Sequence, residues 1–156
     1  MSHLSPAQIT ALRALVAAEP TLATAILTGN DQAVAAWCNA EASPAFYGWR
    51  AKYTSDLIVA AIDAGITQVD GLSASKRDTL LWWAGRDHDA TLAATRTAID
   101  DLTGTQNTLK AAVLDGAKRK LTRAEKLLST GTGSLAVPAT TTLDGPITGE
   151  DASSLR

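Results

Sequence analysis

The sequence predicts an all-α fold, a compact bundle of about seven helices with short joints, followed by an extended C-terminal arm. Three observations predict it. The apolar share of the 156 residues is 46%, but much of it is Ala and only 4% of the chain is aromatic. Such a composition suits closely packed helices better than sheets. Apolar residues recur at helical spacing through residues 1–130. From Gly131 onward that period is gone, and Gly, Pro and Thr dominate.

Most elements announce their ends. In "SPAQITALRALVAAEP", Ser5 stands where an N-cap belongs, Pro6 takes the first helical position and Glu19-Pro20 is a stop. Ile9, Leu12, Leu15 and Val16 give that helix one apolar face. "PTLATAILTGN" reads as a second short helix closed by Gly29-Asn30, and Asp31 caps "QAVAAWCNAEA", which ends before Ser43-Pro44. The aromatic-dense "FYGWRAKYT" leads to "SDLIVAAIDAG", with a cap at Thr54 or Ser55 and a terminator at Gly65. "ITQVDGL" reads as a short extended link. A Ser cap then opens "SASKRDTLLWWAGRD", and "DATLAATRTAIDDLTG" carries a stripe through Leu92, Thr95, Ile99 and Leu102. Leu109, Val113 and Ala117 follow at intervals of four along a segment read as helical through the basic "AKRK". Thr122 and Glu125 form a capping box before "KLLSTG".

The division expected is therefore a helical body over residues 1–130 and an arm over residues 131–156, with turns at Asp144-Gly145-Pro146 and Thr148-Gly149. Such an arm is too poor in apolar surface to fold alone. It needs a surface to lie on, either a partner chain or its own domain. The docking reading rests on Thr132, Leu135, Val137, Pro138, Thr140, Thr141, Thr142, Leu143 and Ile147.

Composition narrows the function classes. A formal charge of −2 gives no global attraction to nucleic acid or membrane. The single cysteine, Cys38, allows no intrachain disulfide and no thiolate metal cluster. No apolar run approaches a membrane span and no secretory signal is evident, so a soluble protein made in the cytosol is expected. His88 in "RDHDA" has carboxylate neighbours, but adjacent side chains diverge around a helix, and a helix junction with an Asp cap is the simpler reading. "STGTGS" lacks the preceding strand and following Lys-Ser/Thr of a phosphate loop. Asp100 and Asp101 are adjacent and cannot flank one substrate bond. No catalytic, cofactor-binding or metal-binding residues are assigned, and no enzyme is expected.

Two features point to macromolecular contact. Lys118, Arg119, Lys120, Arg123 and Lys126 concentrate positive charge, suited to DNA phosphates, to an acidic protein surface or to helix C-termini. Trp82 and Trp83 project about 100° apart on a helix. One of them is therefore expected at the core's edge or in a subunit interface, where Trp is enriched.

"FYGWRAKYT", "VDGLSASKRDTLLWW" and "KRKLTRAEKLLSTGTGSLAVPATTTLDG" together resemble a group of tailed-bacteriophage structural proteins of the head and neck. The resemblance spans roughly residues 44–156, and "TRAEKLLSTGTGS" with "PAT" is its most specific part. "AGRDHDATLAATRTAID" departs from the pattern and lends it nothing. The resemblance implies a head-to-tail adaptor: a virion protein made in the bacterial cytoplasm, assembled as a ring, commonly twelve-fold, beneath the portal protein. Its C-terminal arms would hook onto the portal, with a downstream neck or tail protein below and DNA only in the channel. A DNA-binding packaging module and a soluble assembly chaperone are the alternatives.

Overall fold

A computed structural model describes residues 3–156. It is mostly helical but not strictly all-α. In chain order it contains α1 (Pro6–Ala17), a 3-10 turn (Pro20–Leu22), α2 (Ala23–Thr28), α3 (Asp31–Asn39), β1 (Tyr47–Trp49) and α4 (Ser55–Ala64). A second 3-10 turn (Ile66–Gly71), α5 (Ala74–Ala84), α6 (Ala93–Thr103) and α7 (Asn107–Gly116) follow. The chain ends with β2 (Lys118–Lys120), α8 (Arg123–Leu127), β3 (Ser129–Thr130), β4 (Thr140–Thr141) and α9 (Gly149–Ser153). β1 pairs with β2, and β3 pairs antiparallel with β4 in the register Ser129 to Thr141 and Thr130 to Thr140.

The chain folds as two units, and their boundary is not the expected one at residue 130. A central unit comprises Trp49–Arg119, and a terminal unit combines the residues up to Gly48 with Lys120–Arg156.

In the central unit, Ile58 and Ile62 of α4 meet Leu109 and Val113 of α7, with Leu80, Trp83 and Ile99 completing the core. Tyr53 is fully buried and donates its hydroxyl to Val113 O at 2.9 Å. Its backbone exchanges two hydrogen bonds with His88, at 2.8 and 2.9 Å. "ITQVDGL" is a 3-10 turn rather than an extended link. The turn supplies a cap: Gln68 Oε1 accepts from Thr108 N and Leu109 N, at 2.8 and 3.0 Å. These are the open donors of the first turn of α7, whose own N-cap residue, Gln106, makes no side-chain cap bond.

In the terminal unit, Ser5 closes the expected cap of α1, reciprocated by Gln8. Gly29 stops α2 in the left-handed region at φ 69°, where a Cβ would be strained. The principal correction lies in residues 131–156, which are not an extended arm standing off the body. Leu143, Ile147, Ala152 and Leu155 are buried with Leu12 and Val16 of α1 and Val34 and Cys38 of α3. Asn39 Nδ2 donates to Ile147 O at 2.7 Å, while Asn39 Oδ1 accepts from Ile147 N at 2.8 Å. Thr148-Gly149 is not a bare turn but the start of α9, through a capping box in which Thr148 and Asp151 bond reciprocally. Asp151 is fully buried and also accepts from His3 N at 3.2 Å, so the terminal histidine is tied down rather than loose.

The tail is thus core, which fixes its mutational response. Ile147→Ala and Leu155→Ala are each expected to destabilise the terminal unit by about 2–4 kcal/mol. Exposed Leu135→Ala is expected to stay within about 0.5 kcal/mol of the parent. Urea denaturation followed by circular dichroism measures both.

Candidate interaction surface

Of the residues expected in a docking arm, the structure separates two sets. Pro138, Leu143 and Ile147 are buried, and Thr140 and Thr141 are half-buried. Pro138, Leu143 and Ile147 face their own unit, and Thr140 and Thr141 are only partly accessible. Thr132, Leu135, Val137 and Thr142 remain exposed. Three of these belong to the loop between β3 and β4.

That loop is held in shape by its own polar groups. Thr132 Oγ1 donates to Val137 O at 2.9 Å, and Ser134 Oγ accepts from Val137 N at 2.9 Å. Its base is stitched to the segment before α4: Tyr47 N donates to Gly133 O at 2.7 Å, and Ala139 N donates to Tyr47 O at 2.9 Å. Gly133 has φ 64°, and a Cβ there would collide with the Phe46 ring. No other residue type meets both demands. The result is an ordered loop that presents Leu135 and Val137 to solvent at 51% and 57% exposure.

The tryptophan pair resolves cleanly. Trp83 is 7% exposed and stacks on His88 with ring centroids 4.0 Å apart, whereas Trp82 is 60% exposed. Trp83 is therefore core, and only Trp82 is available to an interface. Arg86, one turn later, lies 3.9 Å over the Trp82 ring. Leu81 beside it is also exposed.

The basic residues do not form one helical patch. Lys118, Arg119 and Lys120 lie on strand β2, so alternate side chains leave opposite faces. Lys118 pairs with Asp115 at 2.7 Å and Lys120 with Glu41 at 3.0 Å. Arg123 lies over Trp37 and Lys126 over Phe46, at 4.7 and 5.5 Å from the ring centroids. The two paired lysines are already neutralised by carboxylates. This dispersal argues against a continuous track for DNA phosphates.

The "RDHDA" stretch holds no acid/base pair. Asp87 accepts from Ser55 N at 3.1 Å and Asp89 from Thr91 N at 2.8 Å, so both carboxylates serve backbone donors. His88 Nε2 lies 2.9 Å from Trp83 O. A carbonyl only accepts, so this nitrogen carries the ring proton. Among the described residues, no group of three or more His, Cys, Asp or Glu side chains is arranged as metal ligands, and no single helix is long and apolar enough to cross a membrane.

Cys38 is fully buried, and burial pushes its thiol up to about 11, with nearby Arg123 opposing more weakly. Burial likewise raises the Tyr53 hydroxyl above its ordinary value of 10. In the unfolded chain the thiol ionises near 9. Between these values the unfolded state sheds a proton that the folded state keeps. The thiol's contribution to stability is complete below pH 9 and is lost as pH rises toward 11. Denaturant titrations should show stability falling from about pH 9 to 10, with Cys38→Ala flattening that slope. The tryptophans are expected to divide: Trp83→Ala costs about 3–5 kcal/mol, and Trp82→Ala costs under about 1 kcal/mol by the same measurement. No protein-family model, curated protein or solved structure matches the chain.

Proposed function

We propose that the chain is a non-enzymatic structural subunit of a tailed-bacteriophage virion, a head-to-tail adaptor that forms a ring beneath the portal protein. The sequence resemblance of "TRAEKLLSTGTGS" and "PAT" suggests the class. The observation that carries the docking role is the loop between β3 and β4, whose backbone is fixed by Thr132, Gly133 and Ser134 while Leu135 and Val137 stay exposed.

The docking element is smaller than the whole of residues 131–156. Leu143 and Ile147 are core, so the portal contact falls to the loop with Thr132, Leu135 and Val137, and to Thr142 at its flank. Pre-ordering the loop removes much of the entropy cost of binding. Each loop binds modestly, and copies around a ring act together through effective concentration. Trp82, with Leu81 and Arg86, is assigned to the contact between neighbouring copies, which must be heterologous for a ring larger than a dimer to close. Twelve copies, a downstream neck or tail protein and a virion location follow from the same reading.

The test separates docking from folding. Leu135→Asp with Val137→Asp should leave the melting temperature and circular dichroism of the free chain unchanged, because neither side chain is in the core. The same pair should abolish co-sedimentation with portal-bearing heads. Normal occupancy of heads by the double variant would refute the loop's role. An absence of wild-type co-sedimentation would refute the adaptor reading itself.

A further inference from the structure

Helices α1, α3 and α8 line a pocket of about 550 Å3 in the terminal unit. Leu15, Trp37 and Leu127 supply its apolar wall, and Arg123, Lys126 and Glu19 its charged groups. The volume lies within the range of ligand-binding clefts, and the site is open to solvent on one side. None of these residues belongs to the loop or the Trp82 surface assigned above.

The charges in the pocket are unbalanced. Arg123 is held in place: its guanidinium lies 4.7 Å over Trp37, and Nη1 donates to Trp37 O at 3.2 Å. Lys126 is one turn further along α8, with its ammonium over the Phe46 ring. Neither cation is ion-paired with a carboxylate among the described residues. The carboxylate of Glu19 accepts from Thr21 N at 3.1 Å and Thr21 Oγ1 at 2.7 Å and also feels the Arg123 charge, so it offsets one of the two cations and leaves a net positive charge. Two cations and one engaged carboxylate thus surround an apolar wall.

We propose that this pocket docks a short acidic peptide segment of a partner protein, with an apolar side chain against Trp37 and flanking carboxylates on Arg123 and Lys126. The spacing favours a peptide. Cations three apart on a helix stand roughly 5–6 Å from each other at their Cβ atoms, and alternate side chains of an extended strand repeat at about 7 Å. Because successive side chains alternate faces, an acidic residue two positions from an apolar one puts both on the pocket side, and bidentate Arg recognition orients the carboxylate. This inference stands whether or not the adaptor reading does.

The test titrates the full 15N-labelled chain with the blocked pentapeptide acetyl-Asp-Ser-Leu-Ser-Asp-amide, whose two Asp and one Leu share a face when extended. A second peptide replaces each Asp by Asn and carries a free C-terminal carboxylate, to separate side-chain from chain-end recognition. The acidic peptide should shift the Trp37 indole cross-peak saturably, with affinity falling at least about tenfold between ~0.05 and ~0.5 M salt. Lys126→Gln should weaken it about tenfold, and Glu19→Gln, which removes the competing carboxylate, should strengthen it about two- to threefold. Unshifted Trp37, salt-independent binding, unchanged affinity in Lys126→Gln, or preference for the Asn peptide would overturn the proposal. The salt series on the unaltered chain tests the charge argument even if a variant folds poorly.

Discussion

The terminal unit depends on one side chain. Asn39 offers Ile147 a donor and an acceptor at once, the pair of partners that a neighbouring strand would give. Ile147 is buried, so its backbone groups have no easy recourse to water, and each left unmatched would cost about 1–3 kcal/mol. From this fixed point the chain inserts Leu143 on one side and enters the capped turn at Thr148 on the other. Contacts far apart in sequence then become possible. Gln8 donates to Thr142 O, Arg13 donates to Ser154 O at 2.6 Å, and Arg156 pairs with Asp31 at 2.8 Å. None of these surface bonds is strong alone. They follow the placement of the tail and refine it.

The same economy of backbone partners shapes the loop between β3 and β4. A Thr-rich tail with few apolar residues invites the idea of a strand added to another protein's sheet. Here the strand it joins is its own chain's: Gly133 and Ala139 bond to Tyr47, and Leu121 N donates to Phe46 O at 2.8 Å from the opposite side. At the base of the loop Gly133 O and Ala139 N are already taken by Tyr47, so that edge is not open to another chain's strand. Recognition through Leu135 and Val137 would therefore be a matter of packing, not of strand addition.

Helices with local signals were legible in the sequence. Ser5 with Pro6, Ser73, the Thr122–Glu125 box and the Gly65 stop all mark ends that the structure keeps, because capping is settled within one turn. The strands were not legible. β1 and β2 are three residues each, and "KRK" lacks a strand's apolar alternation even though Gly116 marks the end of the helix before it. Only pairing at long range makes it a strand. The tail misled for a different reason. Leu143, Ile147 and Leu155 are widely spaced among Gly, Thr and Ser, so no period links them, and their burial comes entirely from α1 and α3. A signal was nonetheless present in Thr148-x-x-Asp151, an Asp version of the box recognised at Thr122. Of the candidate surface, exposed Trp82 was half foreseen, since two adjacent tryptophans cannot share one core. The pocket was not foreseen, because Glu19, Trp37 and Lys126 have no common pattern along the chain.

The discontinuity of the terminal unit orders events on the ribosome. Trp49–Arg119 is one unbroken stretch and can collapse while translation continues. The helices made first must wait. Leu12, Val16 and Val34 acquire their neighbours Ile147 and Leu155 only after more than a hundred further residues have been made. Until then they have only one another and nearby residues such as Leu22 and Cys38 to pack against, and the part that the tail covers stays exposed. A message broken late in its reading frame would yield a chain with a finished centre and an unsealed flank. Quality control can therefore discard an incomplete copy before it competes for a place in any assembly.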